Sequence, residues 1–186
     1  MSFSGTVKDE LSRQCTLARH CQIAEISAII SMCGRIIISE NDKYTVKIHT
    51  ENIAVARKYF TLLKKTFNID TENSIRQSSK IRLYTVTIKH HDDAIRVLQA
   101  SKILDEYGEI YENLSLSDNL LIQRECCKIA FLRGAFLASG SISDPEKFYH
   151  FEIVCTDENK ALQLQNIILN FNIDAKIVER KKHFVV

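Results

Sequence analysis

His20-Cys21 and Cys126-Cys127 are the residues of this chain whose types best suit a shared chemical task. Three thiols and an imidazole make a donor set for a soft tetrahedral ion such as zinc. An internal repeat superposes His20-Cys21 on Cys126-Cys127 and so places all four at the starts of two helices expected to lie side by side. Geometry argues against the ion, because neighbouring residues on a helix point about 100° apart and a vicinal pair seldom reaches one metal. The reading adopted from sequence is therefore buried, reduced thiols at a close helix contact, with no metal, no cofactor and no disulfide. Six cysteines in 186 residues are also too sparse for a secreted disulfide scaffold.

Basic residues offer a second chemistry. Lys176, Arg180, Lys181, Lys182 and His183 form the densest cationic stretch. It reads either as a solvated edge strand whose lysines block sheet-edge association or as part of a phosphate-binding surface. His90-His91-Asp92-Asp93 resembles ligand material, but it falls at a strand-to-helix junction, where aspartate suits the first turn of a helix. A net charge of +2 excludes a uniformly basic coat for nucleic acid and leaves room for a local basic surface. No apolar run reaches the ~18–20 residues of a bilayer span, and no signal segment opens the chain, so a cytoplasmic protein without a membrane partner is expected. One proline and five glycines argue against disorder, and a hydrophobic share of 45% is ample for a core.

Two apolar helices must position these groups. Cys126 to Ile142 reads as a helix with small residues at Gly134, Ala135, Ala138 and Ser139, closed by Gly140. Cys21 to Ile36 has the same design, with Ser27-Ala28 matching Arg133-Gly134 and Gly34 matching Gly140. Ser27, Ala28, Gly134 and Ala135 are the expected helix-packing positions. After each helix come a strand, a turn and an alternating strand; then a helix follows that ends in the identical tetrapeptides Phe67-Asn-Ile-Asp70 and Phe171-Asn-Ile-Asp174. Thr6, Thr50 and Thr156 are the expected N-caps. Two further strands complete each unit, near 72–77 and 81–89 and again near 176–180 and 183–186, with a closing helix from Asp92 to about Leu104 only in the first.

The expected fold class is α+β, a pseudo-twofold repeat of αββαββ units with antiparallel sheets and helices on one face. Its parts are an amino-terminal helical extension (1–20), a first repeat (21–105), a linker and helix (106–125) and a second repeat (126–186). The stop on Phe184-Val-Val suggests a truncated chain, since an unpaired apolar strand is a poor place to end.

Ile26-Ser-Ala-Ile-Ile-Ser-Met-Cys-Gly34 and Leu132-Arg-Gly-Ala-Phe-Leu-Ala-Ser-Gly140 resemble two copies of the LAGLIDADG motif of homing endonucleases. With the Met-Ser-Phe-Ser start, Thr50-Glu-Asn-Ile-Ala54 and Cys126-Cys127, the chain more closely resembles the amino-terminal domain of the WhiA family of bacterial transcription regulators. That resemblance implies a monomeric, non-catalytic, LAGLIDADG-like DNA-binding domain followed by a helix-turn-helix domain. It also implies roles in sporulation, cell division and chromosome segregation, a nucleoid-associated cytoplasmic location, and double-stranded DNA as partner beside other regulatory proteins.

In the nucleases the penultimate motif residue is an acid that holds divalent metal between the scissile phosphates. Cys33 and Ser139 stand there in this chain, and neither supplies a carboxylate. No nuclease activity is expected. If Tyr44, Val46, Ile48 and Ile177 face the helices, strand alternation sends Lys43, Lys47, Arg76, Lys176 and Arg180 to the opposite face, with Lys182 beside them. These six are the expected DNA-contacting residues. The alternative is a protein- or ligand-interaction module that regulates a separate helix-turn-helix domain without touching DNA.

Overall fold

The computed structural model describes residues 2–78, 81–110 and 120–186. At its centre α2 (Arg19–Cys33) and α5 (Glu125–Ser139) pack along their length. Both are apolar all round, as suits helices buried on two sides. One stripe of α2, Ile26, Ile29 and Ile30, enters the core of the first repeat. Its other stripe, Cys21, Ala24, Ala28 and Met32, joins Cys127, Ala130, Phe131 and Ala135 of α5 in the second core. The small side chains bring the backbones together as expected. A Cβ on Gly134 would lie 2.6 Å from the Glu25 carbonyl oxygen and 2.9 Å from the Ala28 Cβ.

Gly34 and Gly140 end these helices in a way the sequence did not suggest. Their φ angles of −85° and −83° are ordinary extended backbone rather than left-handed. Glycine is needed there for space, because a Cβ would collide with the Ile30 carbonyl at Gly34 and with the Phe136 ring at Gly140.

From these glycines the chain enters two sheets. The first contains β1 (Gly34–Ile38), β2 (Tyr44–Thr50), β3 (Glu72–Gln77) and β4 (Arg82–Ile88) in the order β1-β2-β4-β3. The second contains β5 (Gly140–Ile142), β6 (Phe151–Cys155), β7 (Val178–Arg180) and β8 (His183–Val185) in the order β5-β6-β8-β7. All pairings between these strands are antiparallel, and the shared strand order is the structural form of the internal repeat. Each sheet is backed by a helix from its own unit, α3 (Ile53–Phe67) or α6 (Glu158–Leu169), and the first carries α4 (His91–Ala100) in addition.

Helix α1 (Phe3–Arg13) lies against α3, α5 and β5, burying part of Val7 and Leu11 in the second core. Ser2 caps it by accepting from the Gly5 N–H, and Thr6 sits inside the helix rather than at its start. Likewise Asn52 and Asp157, not Thr50 and Thr156, cap α3 and α6. Thr50, two residues before the cap, instead accepts from the Asn52 N–H. Of the linker and helix expected over 106–125, residues 111–119 lie outside the described residues, and the described part before α5 holds a 3-10 turn at Leu120–Ile122.

Candidate nucleic-acid interface

Val46 and Ile48 are fully buried, so alternation sends Thr45, Lys47 and His49 of β2 to the face of the first sheet away from the helices. Register extends that face. Arg35 pairs with Lys47 across β1 and β2. Thr87 and Thr85 of β4 stand opposite Lys47 and His49, and opposite Glu72 and Ser74 of β3, while Arg76 faces Leu83. The surface is concave, a hollow of about 670 Å³ lined by Lys47, His49, Glu72, Arg76, Thr85 and Lys89 among others.

Its potential is positive. Glu72 is the single acid in that lining, and it is already paired with Lys89 at 2.9 Å. His49 accepts or shares a hydrogen with Thr85 Oγ1 at 3.0 Å, and its pKa is depressed first by burial and then by Arg35, Lys47 and Arg76. Lys47 and Arg76 share the hollow with His49, and Arg35 stands beside Lys47 in register. Lys47 and Arg76 stand where the sequence placed them, and Arg35 belongs with them although the sequence pattern did not single it out. Lys43 lies exposed at the mouth of the β1–β2 turn, its N–H bound to Ser39 Oγ.

The second sheet is electrostatically different. Arg180 is on the outward face but paired with Glu152 at 3.3 Å. Glu152 also holds His150 at 2.8 Å and accepts from Ser141, and its pKa is lowered chiefly by the His150 hydrogen bond. Lys176 is exposed in the extended segment before β7, and Lys182 occupies the β7–β8 turn with φ of 69°. The structure thus leaves the six expected contacts spread over two surfaces, one of them partly neutralised.

At the far ends of α2 and α5 stand Cys33 and Ser139. Each side chain turns back on its own helix, Cys33 Sγ toward the Ile29 carbonyl at 3.3 Å and Ser139 Oγ toward that of Ala135 at 3.4 Å. Burial pushes the Cys33 thiol up to about 12, opposed by Lys8, whose own pKa is lowered by burial. Lys8 reaches in from α1 and lies 5.7 Å over the Phe136 ring. Lys8 thus brings an amine close to Cys33 at the ends of the two central helices.

A WhiA N-terminal LAGLIDADG-like domain model matches residues 19–107, and a WhiA LAGLIDADG-like domain model matches residues 128–186. The chain belongs to the WhiA family. It is 49% identical over 189 residues to the probable cell division protein WhiA of Lachnoclostridium phytofermentans, covering 100% of this chain and 60% of the relative. The corresponding protein of Alkaliphilus oremlandii is 39% identical over 190 residues, again covering all of this chain and 59% of the relative. The chain therefore spans about three fifths of the length of these WhiA relatives. Full-length DUF199/WhiA from Thermatoga maritima has the same fold, with a TM-score of 0.73 at 20% identity, covering 100% of this chain and 56% of that one. The homing endonuclease I-DmoI, solved in complex with DNA and Mn, matches at a TM-score of 0.59 and 11% identity over 90% of this chain and 88% of its own. The LAGLIDADG-like α+β fold expected from the sequence is thus established for this WhiA-family chain.

One feature of the WhiA fold here went unread in the sequence, and a second was weighed there and set aside. Glu25, fully buried on α2, receives both Arg133 Nε and Nη2 at 3.1 Å and sits 3.3 Å from Lys58 Nζ, itself 2% exposed. This triad links α2, α3 and α5. Its signal was a charge within an apolar stretch of each helix, Glu25 in α2 and Arg133 in α5. The second feature departs from what helix geometry predicts: His20, Cys21, Cys126 and Cys127 all bring ligand atoms within 4.8 Å of one another. The 100° divergence separates Cβ directions, yet the His20 ring folds over to put Nδ1 3.3 Å from the neighbouring Cys21 Sγ.

Ser27 also differs from its expected role. Its hydroxyl donates to the Ser101 carbonyl at 3.0 Å, within the first repeat, whereas Ala28 and Gly134 meet across the helix seam and Ala135 is fully buried.

Proposed function

We propose that this chain is a non-catalytic DNA-binding module of a bacterial transcription regulator. Its two LAGLIDADG-like repeats, about 21–105 and 126–186, serve cell division, chromosome segregation or sporulation genes, and a separate helix-turn-helix domain supplies most of the sequence specificity. The observation that carries this reading is the concave outward face of the first sheet, where Lys47, Arg76 and Lys89 line one hollow with His49 and Arg35 stands in register beside Lys47. Cations held on a concave antiparallel sheet suit a duplex, because each phosphate contact releases condensed counterions and sheets serve as groove readers in some DNA-binding proteins. The lack of catalysis rests on Cys33 and Ser139, which offer no oxygen ligands of the carboxylate kind that magnesium or manganese requires.

Salt-titrated binding to duplex DNA tests the proposal, with cleavage of the same DNA followed in magnesium. With about three to five phosphate contacts, log affinity should fall against log salt with a slope of roughly −3 to −4.5. Lys47→Glu and Arg76→Glu should each weaken binding and flatten the slope, and the DNA should stay intact. Unchanged affinity and slope in both variants, with the fold preserved, would give the surface to an interaction partner other than DNA. Metal-dependent cutting by purified protein would remove the non-catalytic half of the proposal.

A further inference from the structure

The first turns of α2 and α5 meet at one end of the interhelical seam. There His20 Nδ1 lies 3.1 Å from Cys127 Sγ and 3.3 Å from Cys21 Sγ, and Cys126 completes a group whose ligand atoms all fall within 4.8 Å. Among the described residues no other set of three or more histidine, cysteine or acidic groups meets in this way. With Zn–S near 2.3 Å and Zn–N near 2.0–2.1 Å, tetrahedral zinc holds its ligand atoms roughly 3.5–3.8 Å apart, so adjustments of about 1 Å or less would close the shell. Cys21 and Cys127 are buried, whereas His20 and Cys126 are exposed, which gives an ion a way in.

We propose that His20, Cys21, Cys126 and Cys127 form a structural Cys3His zinc site that joins the first repeat to the second. Four protein ligands leave no open coordination position, which is the pattern of structural rather than catalytic zinc. Binding replaces three S–H protons with one dication: three thiols, one neutral imidazole and Zn2+ give a zinc centre of net charge −1 and three released protons. The surroundings suit that charge. Two helix N-termini without side-chain caps present their positive dipole ends there, and the Arg124 guanidinium stands 3.5 Å from His20 Nε2.

The site lies about 20 Å along α2 from Cys33, at 1.5 Å per residue, so it is remote from the former nuclease centre and independent of any DNA contact. Its effect would be to fix the two motif helices against each other at the end where the seam opens to solvent.

The purified full chain should carry about one zinc by elemental analysis. Cobalt substitution should give a thiolate charge-transfer band in the near ultraviolet and tetrahedral d–d bands in the visible. Removing the metal with a strong chelator should lower the unfolding midpoint by about 5 °C or more. Because loss of the buried Cys21 or Cys127 can also disturb the seam, the decisive variants are Cys126→Ser and His20→Ala, at exposed positions. Each should weaken cobalt binding at least about tenfold and alter its spectrum while the circular dichroism stays native. Less than about a tenth of an equivalent of metal after zinc reconstitution under reducing conditions overturns the proposal. So does a cobalt spectrum and affinity unchanged in both variants, or a disulfide within the cluster that persists under reducing conditions.

Discussion

His49 sits where three cations crowd it, and its imidazole therefore reports on the surface around it. In the free protein, burial and the charges of Arg35, Lys47 and Arg76 favour its neutral form, below the ordinary value of 6.5. Phosphates seated on those cations would offset their charge and let the pKa rise. The bound state then holds more protons than the free state, so affinity should increase as pH falls from about 7.5 toward 5.5, through the ordinary histidine range. Folding stability has the opposite tendency, because below 6.5 the unfolded chain takes up the proton more readily than the native one. His49→Gln should flatten the binding profile while leaving the affinity at pH 8 nearly intact. If that variant keeps the wild-type pH dependence, the phosphates do not sit on this face. Arg35 was hidden from sequence reasoning for a simple reason: it begins an apolar strand, Ile36-Ile37-Ile38, and only its register with Lys47 reveals which side it takes.

Between elements, the α2–α5 seam decides the fold. At Gly134 the obstruction is the Glu25 carbonyl and the Ala28 methyl group, one of them backbone, so neither can swing away as a long side chain would. Gly134→Leu should cost on the order of 1–3 kcal/mol or more, read as a lower denaturant midpoint. An unchanged midpoint would mean that the helices do not meet there. That contact was legible in the sequence because small residues at matching places of a repeat mark where two backbones must come close. The strands were legible too, since Val46 and Ile48 alternate with Thr45 and Lys47 as a half-buried sheet requires. Caps were less so. Thr50, Asn52, Thr156 and Asp157 can all accept from a helix N–H, and only backbone geometry selects among them. The Glu25–Arg133–Lys58 triad was half visible, through two charges stranded in apolar helices; the third partner comes from α3 and depends on tertiary packing. For the cysteine cluster, helix geometry gave the direction of each Cβ but not the reach of the His20 ring or the meeting of two helix starts.

Across the whole molecule the repeat is symmetric in strand order and asymmetric in charge. Both halves present an outward sheet face, yet the first offers Arg35, Lys47 and Arg76 around His49, whereas Arg180 on the second is held by Glu152. Exposed ion pairs contribute little to stability, so this one matters mainly for what it removes from the surface. A duplex laid along both sheets would release fewer counterions at the second. Arg76→Ala should therefore reduce the salt slope by about one, and Arg180→Ala by less than about half of that. Glu152→Gln frees Arg180 and His150 at once and should steepen the slope and tighten binding at low salt. Equal losses from Arg76→Ala and Arg180→Ala, together with no gain from Glu152→Gln, would mean that the two faces contact phosphate alike and that the Glu152 pairing gives way in the complex.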